Sequence, residues 1–209
     1  MLRILIADDH TVVRKGLRQI LLDEFPTAVI NEVADAEELI KKVMTDKWDV
    51  VVSDLSMPGR SGLDALQQIK LSFPDLPVLI LSIHPEEQYA LRSLKAGASG
   101  YLSKDTAPDE LVKAVQKVLL GKKYISQAIA EKLANTFSTN ADQNPHEKLS
   151  DREFDVMKLL ANGRSVSDIA EMLSLSVTTV STYRARVMTK MEMRSNADLT
   201  KYALEHNLI

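Results

Sequence analysis

Apolar residues over the first 120 positions fall into two alternating patterns. Short, nearly continuous runs rich in Val, Ile and Leu recur at Arg3–Ala7, Ala28–Ala34, Asp49–Ser53, Val78–Ile83 and Gly100–Ser103. Runs of this kind suit strands buried on both faces. Between them lie segments of helical period: Thr11–Glu24, Ala36–Asp46, Gly62–Phe73, Glu86–Ala96 and Pro108–Leu120. Five strand–helix units predict an α/β fold, a doubly wound, five-stranded parallel sheet with helices on both faces. Functional groups are then expected beyond the carboxyl ends of the strands, where the strand order reverses.

The pattern changes further along. Ser126–Phe137 reads as one more helix. Ser138–Lys148 has one alanine as its only apolar residue and contains a proline, so it reads as a flexible linker. From Leu149 onward there are no strand-like runs. Ser150 and Glu153 form a capping-box pair opening an amphipathic helix to about Ala161, and Asn162-Gly163 ends it. Val166–Leu173, Thr178–Met191 and Ser195–His206 follow as three more helices, with Ser165 or Ser167 capping the first and Ser174-Leu-Ser as a tight turn. The expected organisation is an α/β domain over 1–121, a helix plus linker over 122–148, and an all-α four-helix domain over 149–209.

Composition narrows the chemistry. The net charge of -3 over 209 residues is not that of a polycation built throughout for nucleic acid. Positive charge is local: Arg184, Arg186, Lys190 and Arg194 lie between Ser176 and Ala197, with Glu192 as the one acid. Absence of cysteine excludes disulfides and thiolate metal sites. The apolar run at the amino terminus is too short for a signal peptide, and no stretch approaches the roughly 20 apolar residues of a membrane span. A cytoplasmic protein is expected.

Chemistry-bearing residues collect at the predicted strand ends. Asp8 and Asp9 close the first strand, Asp54 the third and Ser82 the fourth, and Lys104 follows the fifth. One acid at a strand end is ordinarily a solvated loop residue. In a doubly wound sheet, however, these five converge on one crevice. Three close carboxylates repel, and a divalent cation offsets the repulsion. Hard oxygen ligands suit Mg2+, which is usually held by one or two carboxylates plus phosphate oxygens. A carboxylate could then attack a phosphoryl group while the lysine supplies a point charge for its oxygens.

These residues resemble the receiver domain of two-component response regulators, a flavodoxin-like fold. The resemblance rests on Asp8-Asp9, on the segment Asp54-Leu-Ser-Met-Pro-Gly-Arg-Ser-Gly, and on Ser82, Tyr101 and Lys104. It implies that Asp54 accepts a phosphoryl group from a histidine kinase. It further implies Mg2+ held by Asp9, Asp54 and the Ser56 carbonyl, with Asp8 helping through water. Ser82 and Tyr101 would be the switch pair, Tyr101 moving inward on phosphorylation. Aspartyl-nucleophile phosphatases have a similar site but carry a second acid where Ser56 stands. Enzymatic turnover of external phosphate esters is therefore not expected.

The helices Val166–Leu173 and Thr178–Met191 have helix-turn-helix spacing. Ala170 is small, as a close helix crossing requires. Hydroxyls open the third helix at Ser176, Thr178 and Thr179, where they can cap it or contact a phosphate. Ser181, Thr182, Arg184 and Arg186 follow, side chains that fit a major groove. The segment resembles the LuxR-type domain of NarL/FixJ regulators. It does so through Leu149-Ser-Asp-Arg-Glu153, Ala161-Asn-Gly-Arg-Ser-Val-Ser-Asp-Ile-Ala170 and Ser176-Val-Thr-Thr-Val-Ser-Thr-Tyr-Arg-Ala-Arg186. A lysine is usual where Ser181 stands, and Ala185-Arg186 is often Ser-Asn, so the DNA sequence read by relatives does not transfer. Expected DNA contacts are Thr178, Thr179, Ser181, Thr182, Arg184, Arg186 and Lys190. The combined expectation is a transcription regulator that binds double-stranded DNA and forms a homodimer when phosphorylated. The competing expectation is a receiver whose helical domain binds protein.

Overall fold

The structure is a computed structural model that describes residues 1–127, 129–131 and 144–209. Two compact units make up the chain, Met1–Thr139 and Asn140–Ile209.

In the first unit, five parallel strands run β1 (Arg3–Ala7), β2 (Val29–Val33), β3 (Val50–Asp54), β4 (Val78–Ser82) and β5 (Gly100–Ser103), in the spatial order β2-β1-β3-β4-β5. Helices α1 (Thr11–Glu24), α2 (Ala36–Thr45), α3 (Gly62–Ser72), α4 (Glu86–Lys95) and α5 (Ala107–Leu119) alternate with them. Every residue of β3 and β4 is buried, whereas edge strand β2 buries only Val33. This is why the central runs carry no polar alternation. Successive side chains point to opposite faces. Ile4, Ile6, Val50, Val52, Leu79 and Leu81 therefore form one core with Leu17 and Leu21 of α1 and Leu111 and Val115 of α5. Leu5, Val51 and Ile80, equally buried, face the other way.

Register sets the site. Ala7 pairs with Ser53, Asp54 with Leu81, and Ser82 with Ser103. The last residues of four strands thus lie side by side. The chain reverses strand order between β1 and β3, so the crevice opens at that end. Gly62, first residue of α3, lies against the back of this edge: a Cβ there would stand 1.9 Å from the Asp54 carbonyl oxygen. Only glycine lets α3 start this close to the strand.

The segment after α5 stays with the first unit. Tyr124 makes a parallel bridge to Gly100, its N–H donating to the Ser99 carbonyl (2.8 Å) and its carbonyl accepting from Tyr101 N–H (3.3 Å). A Cβ on Gly100 would lie 2.6 Å from the Tyr124 carbonyl oxygen, so that close approach also needs glycine. Of the helix expected over Ser126–Phe137, the described residues show its capped start, with Ser126 Oγ accepting from Ile129 N–H; residues 132–137 lie outside the described residues. So do residues 138–143 of the expected linker. Its last four residues, Pro145–Lys148, form a 3-10 turn, because Pro145 presets the turn and the Asn144 side chain donates to Glu147 (3.2 Å).

The second unit holds α6 (Asp151–Ala161), α7 (Val166–Met172), α8 (Val177–Met191) and α9 (Asn196–Glu205). Capping boxes open three of them, through Ser150 with Glu153, Ser165 with Asp168 and Ser195 with Asp198. Ser165 rather than Ser167 is thus the cap of α7. Phe154, Met157, Ile169, Val180, Val187 and Leu199 form the buried interior. No helix among the described residues is long and apolar enough to cross a membrane.

A charged contact with one buried member lies in this unit. Glu153 is only 2% exposed, and its carboxylate accepts from Ser150 N–H (2.8 Å) and from Lys190 Nζ (2.6 Å). Burial works against the charge, but the Lys190 and Ser150 contacts outweigh it and hold the Glu153 carboxyl below the usual glutamate range. A carboxyl depressed in the folded state stabilises the fold above its unfolded pKa, and that stability is lost as pH falls through the folded value. Glu153→Gln keeps the cap and removes the charge. It should cost about 1–2 kcal/mol at neutral pH, discounted because Lys190 is 42% exposed. Chemical denaturation at neutral and acidic pH checks this: the gap from wild type should close in acid, and an equal gap at both would contradict it.

Candidate phosphoryl-acceptor site and nucleic-acid interface

Asp54 is the last residue of β3 and is buried, as are Asp8 and Ser82. Lys104 lies one residue beyond β5, pinned by its N–H to the Ser82 carbonyl (2.8 Å). That anchor carries Nζ to 2.7 Å from both Asp54 Oδ2 and Asp8 Oδ2. Asp54 Oδ1 accepts from Ser56 N–H (3.2 Å), which begins the loop to α3. Burial pushes the Asp54 carboxyl above the usual aspartate range and the Asp8 charge adds to this; Lys104 and Ser56 N–H pull back without cancelling it. Burial alone would lower the Lys104 ammonium, but hydrogen bonds and charge from Asp54 and Asp8 hold it above the usual lysine range.

The acids at the end of β1 complete the cluster. Asp8, Asp9, His10 and Asp54 each place a ligand atom within 4.8 Å of the others. Among the described residues, Asp8 Oδ2 and Asp9 Oδ1 are buried with no aligned hydrogen-bond donor. Each nonetheless lies 2.7 Å from a nitrogen, Lys104 Nζ and His10 Nδ1 respectively. These oxygens belong to a cluster of carboxylates that could hold a cation. Sequence reasoning gave His10 no part here, because a histidine leading into a helix is ordinarily solvated. Its ring is indeed 65% exposed, yet its N–H ties to Asp8 Oδ1 (2.7 Å).

Ser82 and Tyr101, the expected switch pair, lie on the neighbouring strands β4 and β5. Tyr101 is already inside, 2% exposed, its hydroxyl donating to the His84 carbonyl (2.8 Å). The ring is buried and its polar end is hydrogen-bonded. Ser82 Oγ accepts from His84 N–H (3.0 Å), and the His84 ring meets Ser56 Oγ (2.8 Å) and stacks on Tyr89. His84 is therefore tied to Ser82, Tyr101 and Ser56 at once. Strand β4 stops at Ser82, one residue before the expected end, because this turn begins there and leaves Ile83 exposed.

In the second unit, α7 and α8 are joined through Leu173–Ser176, with Leu175 N–H donating to the Ala170 carbonyl (2.8 Å). Ser176 caps α8 by accepting from Thr179 N–H, and its hydroxyl meets that of Thr179 (2.8 Å). Val180, Val187 and Met191 face inward. Thr178, Ser181, Thr182, Ala185 and Arg186 make an exposed stripe on the opposite side. Arg184 is partly buried, its Nε donating to Asn196 Oδ1 (3.1 Å) on α9. Lys190, expected among the DNA contacts, places its ammonium 2.6 Å from Glu153 and is 42% exposed. A lysine near a helix end carries no sequence mark of the buried glutamate it will meet.

Comparison with known proteins agrees with both halves. Residues 4–116 match the response regulator receiver domain family, and residues 147–203 match the bacterial regulatory proteins of the luxR family. Response regulator UvrY of Escherichia coli (strain K12) is 37% identical over 209 residues, covering 100% of this chain and 96% of that protein. Oxygen regulatory protein NreC of Staphylococcus carnosus (strain TM300) is 39% identical, covering 100% and 99%. Among solved structures, RcsB of Salmonella enterica serovar Typhimurium bound to promoter rprA in the presence of the phosphomimetic BeF3- is similar with a TM-score of 0.61 and 28% identity, over 97% of this chain and 98% of that one. With the acidic cluster at the strand ends and the helix-turn-helix unit behind it, the chain belongs to the response-regulator family, as a receiver domain joined to a LuxR-type DNA-binding domain.

Proposed function

We propose that this is a cytoplasmic transcription regulator whose DNA binding is switched when Asp54 accepts a phosphoryl group from the phosphohistidine of a histidine kinase. The observation that carries the reading is one lysine ammonium 2.7 Å from two buried carboxylates, Asp8 and Asp54, at the crevice end of the sheet. An Asp54 oxygen attacks phosphorus, the P–N bond breaks, and the kinase histidine keeps the electron pair. Lys104 stays paired with the negative oxygens throughout, and Asp8 keeps Lys104 in place. The buried Asp8 and Asp9 oxygens without aligned donors fit a divalent cation, with Asp54 and the Ser56 carbonyl completing the ligands. Mg2+ suits this all-oxygen set and would neutralise charge on the incoming phosphoryl group. The exposed His10 ring can turn into solvent.

Phosphorylation adds about -1.5 to -2 charges at Asp54. The Ser82 hydroxyl can donate to a phosphoryl oxygen, and turning toward it redirects the oxygen that now accepts from His84 N–H. The loop over 83–85 then shifts, while Tyr101 follows the His84 carbonyl. This remodels the face of α4 and β5 and favours a dimer that reads paired half-sites. Structures of RcsB dimers bound to DNA support a dimeric reading unit. Residues 1–121 would serve as the receiver, 122–148 as the connector and 149–209 as the DNA-binding domain. No carboxylate stands at Ser56, so hydrolysis of outside phosphate esters is not part of the function; the chemistry is confined to phosphorylation and dephosphorylation of Asp54.

On DNA, the exposed stripe of α8 would enter the major groove. Arg186, Ser181, Thr182 and Thr178 are the leading contacts, with Thr179 and Arg184 beside them. A helical domain built to dock protein would present an apolar stripe here, not hydroxyls and arginine.

Intact-mass spectrometry after incubation with a small phosphoryl donor and magnesium tests the acceptor. Wild type should gain one phosphoryl group, Asp54→Asn none, and Lys104→Ala should gain it far more slowly. Labelling of Asp54→Asn at wild-type level would overturn the assignment. Arg186→Ala should weaken DNA binding by about 1–3 kcal/mol. Lys190→Ala should instead show its cost in thermal stability. The reverse order in a fluorescence-anisotropy titration would contradict the placement of α8.

A further inference from the structure

At the opposite end of β4 and β5 from Asp54 lies a second, strongly basic hollow. It has a volume of about 580 Å3, and its walls include Lys70 from α3, Lys122 and Lys123 after α5, and Asp75. Pro74, Pro77 and Val118 give it an apolar side. Three lysines therefore face one carboxylate. Among the described residues, none of the three makes an ion pair within 4 Å, and Asp75 makes none either.

Two of these lysines are fixed in place. Lys70 Nζ donates to the Pro74 carbonyl (3.0 Å) and the Leu76 carbonyl (2.6 Å), and Lys123 Nζ donates to the Ala98 carbonyl (2.6 Å). A surface lysine ordinarily loses much rotamer freedom on binding an anion; here that cost is largely met by the fold. Burial holds both ammonium groups below the usual lysine range, and the Lys123 charge lowers Lys70 further. Asp75 in the same walls offsets part of that effect on Lys70, and the walls still hold more lysines than acids.

We infer that this hollow is a binding site for a small molecule bearing adjacent phosphoryl groups. Lysine is a point-charge binder of phosphate. Two anchored ammonium groups and a third nearby match two neighbouring phosphoryl groups rather than one. The volume falls in the range of small-molecule sites, about 300–1,000 Å3, and the apolar side leaves room for an organic body. The site is independent of Asp54. It adjoins Tyr124, which bridges to β5 where the chain leaves α5, so occupancy would act on that junction.

Calorimetric titration of the full-length protein with inorganic pyrophosphate, and separately with ADP, both without magnesium, tests this. Saturable binding should occur at one site, and Lys70→Gln combined with Lys123→Gln should weaken it roughly tenfold or more. Lys122→Gln alone should weaken it less, and Lys41→Gln, on α2, should leave it unchanged. Tighter binding of ADP than of pyrophosphate would place an organic body against Pro74, Pro77 and Val118; equal or weaker binding would assign the site to free diphosphate. Circular dichroism melts establish that the double variant is folded, and Lys70→Arg with Lys123→Arg, which keeps the charge, should retain binding if a melt shows the Gln pair unfolded. No saturable binding by the wild type, or binding that survives the folded Gln double substitution, would overturn the proposal.

Discussion

The contact between Lys104 and the carboxylates of Asp8 and Asp54 organises the receiver half. Two carboxylates buried side by side repel, and each loses hydration on burial. Left alone, at least one would take up a proton. One ammonium 2.7 Å from both removes much of that penalty and leaves the site short of positive charge for any further anion. Lys104 is itself pinned by its N–H to the Ser82 carbonyl, which ties Ser82 and the turn that follows it to this contact. Parallel register makes this possible: the ends of β1, β3, β4 and β5 must align before residues distant in sequence can share one lysine.

His84 extends that constraint outward. Its backbone N–H is on Ser82, its carbonyl on the Tyr101 hydroxyl and its ring on Ser56. A change in what Ser82 binds is therefore felt at the loop before α4 and at the buried aromatic of β5. Tyr101 in turn shares a backbone bond with Tyr124, just past α5. This chain of contacts runs from the turn beside the buried Asp54 carboxylate to the edge of the sheet. In the helical unit, the corresponding constraint is the Glu153–Lys190 pair, which binds the start of α6 to the end of α8 and so orients the helix carrying the exposed stripe.

Much of this was readable from residue pattern alone. Continuous Val, Ile and Leu runs exist because β3 and β4 are covered on both faces, and the strand-end acids follow from where those runs stop. A serine three residues ahead of an acid marked the start of α6, and a serine cap, left between Ser165 and Ser167, that of α7. Other features had no local signature. The inward setting of Tyr101 depends on a carbonyl 17 residues away in the chain, and the commitment of Lys190 depends on a glutamate 37 residues away. His10 looked like an ordinary solvated residue because exposure and a close approach to Asp9 are not exclusive. The basic hollow at the far end of the sheet draws on three separated stretches of chain, and its lysines are unremarkable one at a time.

The most direct test of the account is DNA affinity and oligomeric state measured together, with and without a small phosphoryl donor plus magnesium, for wild type and Asp54→Asn. The account predicts that the donor dimerises the wild type and tightens its binding to DNA while leaving Asp54→Asn unchanged. Equal affinity and equal mass in all four conditions would contradict it, since Asp54 would then exert no control over the helix-turn-helix unit.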